Sequence, residues 1–296
     1  MANLRDVRLR MRAIRQTLQV TKAMNLISTA KLRKGRRVLE DTEPYFTRIQ
    51  KSMFDILSSA GQVRSQFFKP RRPPGEDYRT AIMAITSDKG LAGGYNANIF
   101  RQVMDLAGRV SKPLLILTGA IGQRYFINSP YLILENFSFR SQMPTVEDAK
   151  EIADYLISQF EWGMFGEVYV VYTHMYSSIK LLPTERQILP LDLGRIQEDL
   201  SRAEGQERAE LQFEFLPSPE EVFNALVPLY IKGIVYGSLV ESYVSEQSAR
   251  MAAMDEASKS AEDMLAGLRI SYNRVRQAGI TNEMSEIVSG SAALGG

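Results

Sequence analysis

The sequence predicts an α/β protein in which long N- and C-terminal helices pair as an antiparallel coiled coil and flank a small α/β domain. Three observations predict it. First, a seven-residue repeat runs from near the first residue to about residue 64. One seam falls at Leu4, Met11, Leu18, Asn25, Leu32, Leu39, Phe46, Met53 and Ala60, and its companion at Val7, Ile14, Thr21, Ser28, Gly35, Thr42, Ile49, Ile56 and Val63. Two seams make a stripe too narrow for a globular core and suited to one partner helix. Second, the final segment repeats its apolar residues at spacings of three and four and supplies that partner. Third, short apolar runs alternate with helical patterns in between, the signature of a small parallel sheet.

Taken in order, residues 1–66 form the first helix, roughly 95–110 Å long at ~1.5 Å rise per residue. It fades near Gly61 to Phe68, and Lys69-Pro-Arg-Arg-Pro-Pro-Gly75 cannot continue it, so 67–77 is a linker. The α/β domain spans 78–192. Its expected elements are a buried strand at Thr80–Thr86, a helix over 97–109, a second strand at Pro113–Gly119, a helix from Thr145 to Phe160 opened by a Thr145…Asp148 cap, and a third strand at Val168–Thr173. Ile179 to Pro190 gives one or two further strands at an edge, because Pro183 has no N–H for a central ladder. Residues 193–217, charged and polar over 194–210, are a mobile loop ending in a hinge. Ser218 then caps, and Pro219 opens, the C-terminal helix over 218–296.

That helix places apolar residues at Val222, Leu226, Leu229, Gly233, Tyr236, Val240 and Tyr243, then at Met251, Met254, Ser258, Ala261, Leu265, Leu268, Tyr272 and Val275. Folded back antiparallel, it overshoots the first helix. The overshoot is apolar at Ile280, Met284, Ile287, Val288, Ala292, Ala293 and Leu294, a surface that needs a sleeve supplied by other chains.

Composition bounds the function. Hydrophobic residues make up 45% and charged residues 24% of the chain, enough for a real core. Without cysteine there is no disulfide framework, thiolate metal site or thiol switch. No uninterrupted apolar run approaches the ~20 residues that span a bilayer, and the N-terminus enters its heptads at once; membrane association is expected only through partners. The net charge of +2 is unevenly spread: residues 1–64 hold 14 Lys+Arg against 5 Asp+Glu, and within 1–37 Asp6 is the only acid. A basic helix end implies an acidic partner, which is nucleic acid, anionic lipid or an acidic protein surface.

Candidate sites are few. Thr86-Ser-Asp-Lys-Gly-Leu-Ala-Gly-Gly-Tyr-Asn96 sits between strand and helix, where a phosphate cradle would lie. It is neither GxGxxG nor GxxxxGK[ST], and a structural turn with close backbone approach is the favoured reading. His174 is the sole histidine and reads as a strand-end residue. No nucleophile–base pair, metal-ligand set or cofactor motif emerges, which favours a non-enzymatic role. In the basic stretch the first aromatic is Tyr45, so no stacking residue interleaves the charges, and the seam runs straight through it; an acidic protein surface fits better than nucleic acid. Leu9, Val20, Met24, Leu26 and Ile27 lie off the seam. They serve either as extra packing against the partner helix or as contacts with a surrounding assembly. The small second-seam residues Thr21, Ser28, Gly35 and Thr42 let the helices approach closely.

Several blocks carry a resemblance. Val20-Thr-Lys-Ala-Met24 with Ala30-Lys-Leu-Arg33, Ile85 to Asn96, Ser245-Glu-Gln-Ser-Ala-Arg-Met-Ala-Ala-Met-Asp255, Tyr272-Asn-Arg-Val-Arg-Gln-Ala278 and Ile280-Thr-Asn-Glu-Met-Ser-Glu-Ile-Val-Ser-Gly290 are similar to the γ subunit of the rotary F-type ATP synthase of bacterial type, in collinear order over essentially the whole chain. Ser291 stands where the family usually has Ala, Leu-Ala-Gly-Gly where Leu-Cys-Gly-Gly is common, and the dithiol insert of chloroplast-type members is absent. The resemblance implies a Rossmann-like α/β foot and a central rotor stalk standing inside a ring of α and β subunits. The foot would bind the ε subunit and the c-ring. The chain would couple ion-driven rotation to ATP synthesis at β, or the reverse, without a catalytic residue, cofactor or metal of its own. It would be peripheral, on the cytoplasmic face of the plasma membrane, with no direct insertion. By motif position, Met24, Arg250, Arg276 and Gln277 match contacts to β; Phe213 and Phe215 match contacts to the c-ring loop, with Leu216 where an acid is common; Ile280, Met284, Ile287, Val288 and Leu294 match the sleeve contact. A reading of another class stands beside it: a nucleotide-binding α/β domain with a basic coiled-coil arm on nucleic acid.

Overall fold

Seven-residue spacing of small and apolar side chains makes one helix of α1 (Leu4–Ala60). The computed structural model describes residues 4–60, 63–69, 79–134, 143–177, 180–192, 194 and 215–294. Every buried residue of α1 lies on one of the two seams, among them Val7, Met11, Thr21, Ser28, Leu32, Gly35, Ile49, Met53 and Ile56. Pro44 sits inside α1, and Pro228 inside the C-terminal helix. Each removes a backbone donor at a cost of roughly 3 kcal/mol, so burial of the seams outweighs the local preference to break.

After α1, Gln66–Phe68 form a single 3₁₀ turn capped by Ser65, with Phe67 buried. Most of the expected linker at 67–77 and of the expected loop at 193–217 lies outside the described residues. The α/β elements are β1 (Arg79–Ile85), α2 (Tyr95–Arg109), β2 (Pro113–Thr118), α3 (Ala120–Phe126), β3 (Leu132–Ile133), α4 (Val146–Glu161), β4 (Phe165–Met175) and β5 (Leu181–Leu189); α5 (Pro219–Leu294) completes the chain. Two compact units emerge, Met1–Thr29 with Arg250–Gly296, and Ala30–Ala249.

The second unit is built on one five-stranded sheet in the order β3-β2-β1-β4-β5. The four strands β3, β2, β1 and β4 are parallel, and β5 joins β4 antiparallel. Central β1 and β2 are buried on both faces, which is why they read as continuous apolar runs. Ile82, Leu115, Leu117 and Val171 pack under Ile99, Val103 and Leu106 of α2 and Phe126 of α3. The Thr145 cap forms as a full capping box with Asp148.

As expected, Ile179 to Pro190 yields an edge strand, with Pro183 opposite Thr173. Other expectations need correction: β4 is longer than its apolar run. The elements α3 and β3 were not foreseen. The first turn of α3 is held by side chains distant in sequence: the Ala120 N–H donates to Asp88 Oδ1 (3.0 Å) and the Gly122 N–H to Thr86 Oγ1 (3.1 Å). The stripe expected at Val222, Leu226 and Leu229 is displaced by about one residue to Phe223, Val227, Tyr230 and Ile231. From there to Ser248 nearly every residue of α5 is buried, whatever its helical face, as befits a helix covered on more than one side. Helix α5 also qualifies the expectation about apolar runs. An 18-residue window of α5 reaches a mean hydropathy of 1.4, apolar enough by composition to cross a membrane, and 56% of it is buried within the protein.

Within the second unit α1 and α5 run antiparallel at close quarters. A Cβ on Gly35 would lie 2.7 Å from Val244 Cγ2, and one on Gly233 would collide with the Phe46 ring. Small residues at these crossings are therefore a steric requirement.

Candidate partner-binding surfaces

In the first unit, the amino-terminal turns of α1 and the distal part of α5 pair along a single seam. Val7, Met11 and Leu265 are buried together, flanked by Ile14, Leu18, Leu268 and Tyr272. Polar seam positions are matched across it. Ser258 Oγ donates to Thr21 Oγ1 (2.8 Å), and Asn25 Nδ2 donates to the Met251 carbonyl (3.1 Å). Arg8 donates through Nη2 to the Tyr272 hydroxyl (2.7 Å) with its guanidinium over the ring. The Lys22–Glu262 ion pair (2.6 Å) is more than half exposed at both ends, so water screens most of its value.

Most apolar residues off this seam face outward. Leu26 is 71% and Ile27 55% exposed, and Leu9 and Val20 are similarly open. The reading of these residues as extra packing against the partner helix therefore fails. Met24 is half-buried at the seam's flank. Arg5, Arg8, Arg12 and Arg15 line one groove with Leu9, Gln16 and Gln19 on the outer face of α1. Met264 and Ile270, exposed on α5, belong to the same outward set and went unnoticed in the sequence. The signal was available, since both fall off the three-four pattern that defines the seam.

The Asn25–Met251 bond puts Met24 and Arg250 at one level of the helix pair. Arg250 is only 6% exposed and is engaged within the chain, which leaves little of its side chain for a partner. Arg276 and Gln277 are exposed at a separate level, roughly 40 Å further along the helix at ~1.5 Å per residue. Beyond Val275 every residue through Ser289 is exposed. Ile280, Met284, Ile287 (71% exposed) and Val288 thus form the expected bare overshoot. Leu294 ends α5, its side chain outside the described ones. In the second unit Phe215 is half-buried and Leu216 fully open; Phe213 lies outside the described residues.

The Gly-rich segment after β1 behaves as a structural turn. Asn96 Oδ1 accepts the Ser87 N–H (3.0 Å), while Asp88 and Thr86 take the first donors of α3, so the segment's polar side chains serve to join β1 to the two helices. Gly93 needs its left-handed φ of 55°. The close approach is elsewhere: a Cβ on Gly122 would lie 2.5 Å from Thr86 Oγ1, whereas Gly90 has open space around it. His174, near the end of β4, contacts Glu241 through Nδ1 and meets the Tyr176 ring edge-on. Among the described residues no group of three His, Asp or Glu side chains is placed to hold a metal ion.

Comparison with known proteins gives a consistent picture. The family model described as ATP synthase matches residues 3–294. The ATP synthase gamma chain of Acetivibrio thermocellus is 42% identical over 295 residues, covering 99% of this chain and 100% of that one. Among solved structures, a chain from the central stalk and c-ring of the Tetrahymena thermophila mitochondrial ATP synthase aligns with a TM-score of 0.58 at 24% identity, covering 81% of this chain and 99% of that one. A chain of the Euglena gracilis mitochondrial ATP synthase, in a structure of OSCP, F1 and c-ring, aligns at 0.61 and 16% identity, covering 98% and 94%. At these identities the two structures bear on the fold alone.

Proposed function

The chain belongs to the ATP synthase gamma chain family, and from that membership we propose that it is the central rotor subunit of a bacterial F-type ATP synthase. It couples ion-driven rotation of the c-ring to ATP synthesis at the catalytic β subunits, and the reverse during hydrolysis. The chain contributes no catalytic group. The helix pair of the first unit stands within the ring of α and β subunits. The α/β unit faces the membrane sector, where it binds the ε subunit and the c-ring. The chain is peripheral, on the cytoplasmic face of the plasma membrane.

The observation that carries this reading is the one-seam burial of the first unit. A helix pair that leaves Leu26, Ile27, Ile280, Met284 and Ile287 in water is unfinished without a surrounding protein. Around it, Met24, Arg276 and Gln277 are the contacts to β, with Arg250 contributing what remains at its surface; the four-arginine groove suits acidic loops of the same ring. Ile280, Met284, Ile287, Val288 and Leu294 sit in an apolar sleeve at the ring's crown. Phe213 and Phe215 reach the c-ring loop. The nucleic-acid reading loses support because Val7, Met11 and Thr21 within the basic stretch are buried against α5 or beside it, which takes that helix out of consideration as a lone groove reader.

The test is direct. The assembled complex is fixed through its ring and a bead is attached to the α/β unit. Adding ATP should turn the bead in one direction; a complex that hydrolyses ATP with a stationary bead overturns the proposal. Met24→Lys places a charge at the moving contact without touching either seam. It should lower ATP-driven ion pumping more than ATP hydrolysis, measured side by side on membrane vesicles.

A further inference from the structure

The sheet of the second unit has a bare edge in its interior. β1 stops at Ile85, and its last pairing with β4 is Ala84 with Val171. β4 continues to Met175 with β5 on one side only, through Thr173 opposite Pro183 and Met175 opposite Leu181. On the other side, the main-chain groups of Thr173 and Met175 have lost their strand. Buried backbone groups must find partners, and here α5 supplies them from a single turn. The Thr173 N–H donates to Ser242 Oγ (3.3 Å), Ser245 Oγ donates to the Thr173 carbonyl (3.0 Å), and the Met175 N–H donates to Glu241 Oε1 (3.1 Å). The same Glu241 oxygen contacts His174 Nδ1.

Serines in a helix interior commonly bond back to their own helix. Ser242 and Ser245, 1% and 0% exposed, are aimed at the strand instead. Three side chains thus stand in for the missing strand and tie α5 to the middle of the sheet. Apolar packing between a helix and a sheet lets one slide over the other by small rotamer changes. Directed bonds to a strand's main chain do not, because a shift along or around the helix axis breaks them together and leaves buried polar groups unpaired.

We propose that Glu241, Ser242 and Ser245 are the joint through which turning force passes between the α/β sheet and helix α5, an inference that rests on the rotor reading above. They are positioning residues whose work is to make the junction stiff. The experiment is the bead assay on the complete complex, read as the angular fluctuation of the bead with the ring held still. Wild type must first rotate under ATP; if it does not, the rotor reading itself fails. Given rotation, the Ser242→Ala, Ser245→Ala double variant should widen the angular variance roughly twofold, since two of the three tying side chains lose their hydrogen bonds, while ATP hydrolysis in the assembled complex persists. Ser242→Thr, which keeps a hydroxyl, should restore stiffness in the Ser245 background. Thr173→Val removes a buried hydroxyl that makes no hydrogen bond and should leave the variance at the wild-type value. Where the double variant does not assemble, Glu241→Ala, which removes the acceptor of the Met175 N–H, is read the same way. A variance equal to wild type in the serine or glutamate variants, or one widened equally by Thr173→Val, overturns the joint.

Discussion

One continuous helix, α5, meets two different surroundings. From Phe223 it is buried along one stripe and from Ile231 to Ser248 on almost every face; past Val275 it is exposed on every face. Secondary structure is the same in both stretches, so the difference lies in what covers the side chains. The buried stretch is enclosed by its own chain: α1 meets it through Phe46 and Gly233, and the sheet through Thr173 and Met175. The bare stretch carries Ile280, Met284 and Ile287, which no described residue of the chain buries. Full enclosure marks a segment whose partners are already in the chain. An apolar segment left open marks one whose partners are other chains. The seam-only stretch in between, from Met254 to Tyr272, is covered on one side and has one face left for a partner.

This contrast predicts a graded series of mutational costs. The largest belongs to the enclosed stretch. Phe223 is fully buried, with the Phe68 ring 5.3 Å away. Phe223→Ala should destabilise the chain by about 3–5 kcal/mol, the usual range for deleting a buried aromatic, seen as a lower urea midpoint. A loss no larger than that of a surface substitution would mean that the enclosure is loose. Next comes the helix crossing in the same unit. At Gly35→Val the new Cβ alone meets Val244 Cγ2 at 2.7 Å, and overpacking of this kind costs about 1–3 kcal/mol. A paired Val244→Ala should recover part of the loss, which separates a steric clash from a general helix effect.

The one-seam stretch should be less sensitive. Thr21→Val keeps the shape of the side chain and removes the acceptor of Ser258 Oγ. The unpaired serine hydroxyl left behind should cost about 1–2 kcal/mol, read from thermal unfolding. Replacing Ser258 by Ala in addition should return much of that loss, because both polar partners are then gone.

Particular residues explain how much of this was legible in the sequence. The seams of α1 were readable because a single helical partner imposes one period, and every buried residue from Val7 to Ile56 obeys it. β1 and β2 were readable because burial on both faces leaves only apolar side chains, and the start of α4 because Thr145 and Asp148 carry a local capping signal. α3 was not readable: Asp88 and Thr86 hold its first turn from the end of the neighbouring strand β1, distant in sequence, and no local pattern announces them. The α5 stripe was misplaced by about one residue only at Val222, Leu226 and Leu229; Gly233, Tyr236, Val240 and Tyr243 are buried as expected, and coverage on more than one side buries the residues between them as well. The overshoot was legible by matching helix against helix. The burial of Arg250 was not, since a motif position says nothing about which neighbours cover a side chain. The serines of the sheet joint left a faint trace: Ser238, Ser242, Ser245 and Ser248 recur at helical spacing inside an apolar stretch, and that pattern has meaning only once a strand edge is seen to face it.

The smallest effect on the chain itself, and the sharpest test of the contrast, belongs to the bare stretch. Met284 and Ile287 are mostly exposed and fall one turn apart on α5. In a protein whose function ended at its own surface, these residues would be indifferent to substitution. Replacing both by Ser should change the stability of the isolated chain by no more than about 0.5 kcal/mol, as for surface positions in general. If they fill an apolar sleeve, the same double variant should assemble less tightly with the ring of α and β subunits, because the transfer free energy of two apolar side chains, about 1.5–3 kcal/mol each when fully buried, is then lost from association. Equal losses in the isolated chain and in assembly would mean that the helix end folds against its own chain, and equal indifference in both would mean that no sleeve covers it. Only a loss confined to assembly is consistent with an apolar helix end left open for another protein.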